Sequence, residues 1–205
     1  ANTARHKELA YVEFPKDALL YSAFPHAHYR AYATDLWIQY PDGRKKLLLA
    51  LPRYDFNWQR DYTFAEPIKV PAGSRLIANY VYDNSKANPS NPDPKIKVTW
   101  GEQSHEEMQY TALGFRWDEE TVANRKDDFQ KRLEESRSMG IMDKNLDDKV
   151  AKSEVRGRMA QMLLANWDKV DTDKDGYLVT SEMADINGII NGRIREAQAQ
   201  QSIGQ

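Results

Sequence analysis

Hydrophobic positions recur with a period of two through the first part of the chain and shift to a helical period in the last third. Tyr32, Thr34, Leu36, Ile38 and Tyr40 interleave with Ala33, Asp35, Trp37 and Gln39. Strand side chains alternate between faces, so this segment predicts a two-sided strand rich in β-formers. Pro41-Asp42-Gly43 supplies a tight turn, and Lys45 to Leu51 returns as the hairpin partner. Pro71-Ala72-Gly73 makes another turn before a strand from Arg75 to Asp83. Asn84 to Pro94 holds three prolines and three asparagines, which predicts a long loop. Further strands are expected over Ile96 to Trp100 and Met108 to Trp117. Short strands separated by turn residues predict an antiparallel, jelly-roll-like β sandwich.

After Trp117 the period changes. Val122, Phe129 and Leu133 fall on one helical face; Val155, Met159, Met162 and Leu163 form a second, and Met183, Ile186, Ile189 and Ile190 a third. The expected boundary lies near 118–122, giving a β domain over 1–118 and a small all-α domain over 119–205. Gln198 to Gln205 has little to bury and is expected to fray.

Composition narrows the classes. A chain of 205 residues holds one ordinary domain plus a small one, and 40% hydrophobic content with five Trp and eleven Tyr is enough for a core. The net charge of −2 argues against a nucleic-acid partner. The longest apolar run, Leu47 to Leu51, is far too short for a transmembrane segment. Cysteine is absent, which removes thiolate metal sites, disulfides and thiol catalysis. The sequence opens at Ala1 without an initiator Met or an apolar signal, and so reads as a mature product or a piece of something longer.

The helical part carries a chemical motif. Asp171, Asp173 and Asp175 occupy positions 1, 3 and 5 of a twelve-residue EF-hand loop, with Glu182 at position 12. Gly176 permits the sharp turn, and Tyr177 offers a backbone carbonyl. Leu178 is the apolar residue of the short strand that pairs two such loops. Val179 departs from the usual polar residue at position 9 and leaves that contact to water. An earlier loop fits the same template, with Asp143, Asn145, Asp147 and Glu154 at positions 1, 3, 5 and 12 and Lys149 at position 7. There Val150 matches Leu178, and Asp148 replaces the turn glycine, a substitution that Asp tolerates at some cost. Calcium is the expected ion in the second loop; the first either takes calcium as well or only pairs with the second, its own ion lost.

Of the four histidines, His26 and His28 lie one residue apart in a strand-like stretch. Residues i and i+2 of a strand share a face, so the two imidazoles can grip one metal ion. With a thioether such as Met108 as third ligand, ligand softness points to copper. From the residues alone, a pair of histidines lining a polar groove and a core methionine remain an equal reading.

The neighbouring motifs add a family resemblance. His26-Ala27-His28-Tyr29-Arg30, Tyr40-Pro41-Asp42-Gly43, Pro52 to Gln59 (Pro-Arg-Tyr-Asp-Phe-Asn-Trp-Gln) and Trp100 to Met108 (Trp-Gly-Glu-Gln-Ser-His-Glu-Glu-Met) follow in order. From Phe24 to Trp117 the sequence resembles the C-terminal, catalytic-copper domain of the copper type II, ascorbate-dependent monooxygenases. That family includes peptidylglycine hydroxylating monooxygenase, and the bacterial branch is the nearer likeness. The resemblance implies a β-sandwich, a copper ion on His26, His28 and Met108, and oxygen activation with substrate hydroxylation. It also implies a periplasmic or secreted location.

Two departures accompany the likeness. The family's electron-transfer copper sits on three histidines of a separate domain, whereas only His6 and His105 remain here. Such a domain would lie upstream or in another subunit, or be lost. The residues that clamp a peptide carboxylate in the family correspond to Phe24, Tyr110 and Ala112, and none of these can do so. The family's disulfide beside the methionine is also absent, with Gln109 following Met108. His105 is either a further ligand or donor, or a solvated loop residue; His6 is expected to be uninvolved. Glu106 and Glu107 either orient a ligand histidine or carry surface charge. Tyr54, Phe56 and Trp58 either line a substrate groove or pack in the core. No catalytic residue is assigned beyond the copper ligands, and the substrate is unspecified. Two functions follow: the catalytic-copper half of a monooxygenase joined to an EF-hand pair, or a non-catalytic extracytoplasmic module stabilised by its metals.

Overall fold

A computed structural model describes residues 1–156, 160–184 and 186. The chain divides into two compact units, Ala1–Glu134 and Glu135–Gln205. Met159, Ile189, Ile190 and the tail from Gln198 to Gln205 lie outside the described residues.

The first unit carries seven strands: β1 (His6–Glu13), β2 (Ala18–His26), β3 (Ala31–Gln39), β4 (Lys45–Leu51), β5 (Tyr62–Val70), β6 (Arg75–Tyr82) and β7 (Tyr110–Trp117). They form a four-stranded sheet in the order β1-β6-β3-β4 and a three-stranded sheet in the order β5-β2-β7. Every neighbouring pair is antiparallel. The period-two reading of β3 holds, with Thr34, Leu36 and Ile38 buried on one face. So does its hairpin: the Gly43 amide donates to the Tyr40 carbonyl at 2.9 Å, and Gly43 takes a left-handed φ of 83°. A β-branched residue there would be strained.

One apolar cluster draws Leu20, Leu36, Ile38, Val70, Leu76 and Trp117 from strands of both sheets, together with Phe14. Burying each such side chain stabilises the fold by about 1.5–3 kcal/mol. Helix α1 (Asp127–Met142) adds Phe129 and Leu133 to this cluster, and the Phe129 ring lies 5.7 Å from that of Trp117. That packing places the start of α1 in the first unit, so the division falls at 134/135 rather than near 118–122.

Three sequence expectations differ from the structure. Val122 is fully exposed in a turn closed by reciprocal backbone bonds between Thr121 and Asn124, and is not on a helical face. Residues 96–100 form no strand beyond an isolated bridge from Trp100 to Glu107. Pro92 and Pro94 lack donors, and the Asp93 carboxylate takes the Lys95 amide at 2.8 Å, so the ladder has nothing to start from. Met108 precedes β7, which begins at Tyr110.

The second unit is described as short helices and a ribbon. After α1 come β8 (Val150–Ala151), α2 (Ala160–Ala165), α3 (Trp167–Val170), β9 (Tyr177–Leu178) and α4 (Thr180–Ala184). Strands β8 and β9 pair antiparallel, Val150 against Leu178. The unit is therefore not all-α among its described residues. Val155 is buried but precedes α2, while Leu163, Trp167, Val170 and Met183 are buried within helices. Among the described residues no helix is long and apolar enough to cross a membrane.

Candidate metal centre

His26 is the last residue of β2, and His28 lies in the turn that follows. The pair is therefore not held by strand alternation, as its spacing had suggested. The backbone leaves the ladder because side chains take its donors. Tyr54 Oη accepts from the Ala27 amide at 2.8 Å and donates to the Ala27 carbonyl at 3.1 Å. The Arg30 amide goes to a Glu107 carboxylate oxygen at 2.9 Å. The two imidazoles still meet, with ring centroids 5.2 Å apart and planes nearly perpendicular.

Their surroundings differ. His26 is half-buried, and its Nδ1 bonds the side-chain oxygen of Gln59. His28 is buried, and its Nδ1 has no hydrogen-bond partner. Burial, with the neighbouring His26 ring, lowers the pKa of His28; the carbonyls of Glu106 and Gln103 oppose that shift. A buried, neutral imidazole with an orphaned nitrogen is what a metal ligand requires. Leaving such an atom unsatisfied costs about 1–3 kcal/mol.

Met108 lies just before β7. His26 pairs with Tyr110 across β2 and β7. The register ends at that pair, so His28 and Met108 both lie beyond the ladder. There the ladder is replaced by Glu107, whose carboxylate takes the amides of Arg30 and Met108, the latter at 3.3 Å, with a further bond from the His28 backbone. The Met108 carbonyl accepts from Tyr82 Oη at 3.2 Å, and Tyr82 packs in one cluster with Tyr80 and Ala27. Glu107 thus ties the Met108 backbone to the turn that carries His28.

Glu107 is the residue that sequence reasoning undervalued. Burial pushes its pKa up to about 7, against the backbone donors and the Arg30 charge that favour the carboxylate. Arg30 is fully buried behind the turn. Its Nε donates to Asn84 at 2.9 Å and Asn91 at 3.1 Å, and an Nη to the His105 carbonyl. His105 is exposed and contributes that carbonyl to the network. His6 pairs with Glu8 at 2.8 Å on β1 and takes no part in the centre. Tyr54, Phe56 and Trp58 divide three ways: Tyr54 clamps Ala27, Phe56 lies 6.2 Å from the His28 ring, and Trp58 is 65% exposed. Tyr110, itself half exposed, stands 6.4 Å from the His26 ring.

The second unit places its two acidic loops in matching conformations. Positions 4 and 6 have positive φ in both: Leu146 and Asp148 in the first, Lys174 and Gly176 in the second. Ligand oxygens of Asp171, Asp173 and Asp175 lie within 4.8 Å of one another. Asp171 is buried and its Oδ1 has no hydrogen-bond partner. Its Oδ2 accepts from the Gly176 amide and from Trp167 Nε1, each at 3.1 Å. Glu182 is held by the Thr172 amide at 2.8 Å and the Val179 amide at 3.1 Å. Burial works against its ionisation, but these donors win and its pKa is lowered. In the first loop Asp143 is fully buried and caps the amides of Asp147 and Asp148. Asn145 and Asp147 take the amides two residues on, and Glu154 takes those of Lys144 and Ala151.

No protein-family model matches the chain, and no curated protein matches it.

Proposed function

We propose that the first unit is a copper-binding β-sandwich of the monooxygenase type, with His26, His28 and Met108 as ligands. The second unit, on this reading, is an EF-hand pair that takes calcium on Asp171, Asp173, Asp175, Tyr177 and Glu182, and on Asp143, Asn145, Asp147, Lys149 and Glu154. The observation that carries the copper reading is the buried, unpartnered Nδ1 of His28 beside the His26 ring. Two imidazoles and a thioether are a soft, nitrogen-rich donor set that suits copper over magnesium or calcium. The calcium reading is supported by the convergent carboxylates and the orphaned oxygen of buried Asp171.

Bound copper would supply one-electron chemistry and activation of oxygen for hydroxylation. The chain's own residues hold the donors still: Tyr54 and Glu107 grip the turn, and Arg30 backs it. The Phe56 ring lies edge-on to His28 and the Tyr110 ring edge-on to His26. Phe24, Tyr110 and Ala112 offer no cation, which disfavours a carboxylate-bearing peptide substrate. Electrons would come from a copper domain elsewhere in a longer chain or in another subunit, in a periplasmic or secreted setting. With only four histidines in the sequence, the non-catalytic metal-stabilised module stands as the second reading.

Elemental analysis tests the centre. The protein is expected to hold one copper per chain, and His26→Ala or His28→Ala to hold none. Unchanged copper in either variant overturns the site. Oxygen uptake by the intact parent protein with copper, ascorbate and a broad substrate panel separates enzyme from module.

A further inference from the structure

We infer that Gln59 is a positioning residue that sets the tautomer of His26 and so directs its Nε2 to the metal. This rests on the copper reading above. Gln59 lies in the irregular segment between β4 and β5, and no backbone ladder places it. Its amide is nevertheless oriented without ambiguity. Gln59 Nε2 donates to the Phe56 carbonyl at 2.7 Å. A carbonyl oxygen can only accept, so the amide nitrogen must face Phe56 and the amide oxygen must face His26.

That oxygen is the partner of His26 Nδ1. Because it too can only accept, Nδ1 carries a proton, and in the neutral ring Nε2 then keeps the lone pair. A neutral imidazole protonated on Nδ1 offers Nε2 as its metal ligand, and the hydrogen bond on the far nitrogen fixes the ring's orientation. The chain of constraint runs from the Phe56 backbone through one amide to one ring nitrogen.

The experiment pairs two variants with two readouts. Gln59→Leu removes the acceptor at similar volume, while Gln59→Glu keeps an oxygen facing Nδ1. Nitrogen-15 NMR of the metal-free protein reads the His26 tautomer, and titration with copper ions alone reads affinity. The parent is expected to be protonated on Nδ1. Gln59→Leu should show a tautomer mixture and bind copper about 10- to 100-fold more weakly, with its calcium titration unchanged. Gln59→Glu should keep the parental tautomer and recover most of the affinity. A His26 ring protonated on Nε2 in the parent overturns the inference. So does Gln59→Leu with parental tautomer, whatever its stability. If the parent binds no copper, the copper reading fails, and the metal-free tautomer still decides whether Gln59 holds the ring.

Discussion

Glu107 holds a carboxyl where three backbone donors need an acceptor and water is scarce. Arg30 attracts its charge, and Tyr54 and Tyr82 are the other titratable groups that feel it. Its folded pKa of about 7 lies above the ordinary carboxyl value of 4.5. Between those values the folded protein keeps a proton that the unfolded chain releases. Its contribution is therefore present at low pH and is lost as pH rises through about 7, by up to roughly 3 kcal/mol. His28 has the opposite sign: its lowered pKa makes acidification below its ordinary value of 6.5 destabilising. Subtracting a Glu107→Gln variant isolates the carboxyl. The stability of metal-free parent minus that of Glu107→Gln, from urea unfolding at a series of pH values, should fall between pH 4.5 and about 7 and level off above. Parallel curves would refute the shift.

At the scale of elements, the two acidic loops show how one template absorbs a costly residue. Gly176 reaches φ 87° without a Cβ, whereas Asp148 takes φ 68° with one. An L-residue pays roughly 1–2 kcal/mol in that region, somewhat less for Asp. Two features hold Asp148 there. Asp143 accepts its amide at 3.1 Å, and the β8–β9 ribbon anchors the chain two residues later at Val150. Asp148→Gly is expected to stabilise the second unit by about 1 kcal/mol and to tighten calcium at the first loop. Thermal melting and calorimetric titration of the variant check both. A lower melting temperature with weaker binding would count against a left-handed turn as the cost at this loop.

For the molecule as a whole, the proposed function gives each unit its own ion. Calcium that binds only folded loops stabilises the second unit by mass action, about 2.7 kcal/mol at a hundred times the dissociation constant. Scanning calorimetry should show one transition rising with calcium. Glu182→Gln removes a carboxylate oxygen from the bidentate position and should largely abolish that rise. A calcium-dependent melt identical to the parent's would show that the second loop is not the binding site.

The sequence alone determined whatever depends on local spacing. The β3–β4 hairpin was legible because alternation and Pro41-Asp42-Gly43 act within a few residues of each other. The acidic loops were legible because all the spacing lies within twelve positions. The histidine pair was found for the wrong reason: the i, i+2 rule assumed a strand, and β2 ends at His26. Only the tertiary structure decided that β2 and β7 pair with His26 against Tyr110, and that Glu107 holds the Met108 amide beside the turn that follows. Only it placed Glu107 inward rather than on the surface, and turned Gln59 toward His26. Those outcomes depend on which distant backbone donors lack a partner, and periodicity along a chain carries no information about that.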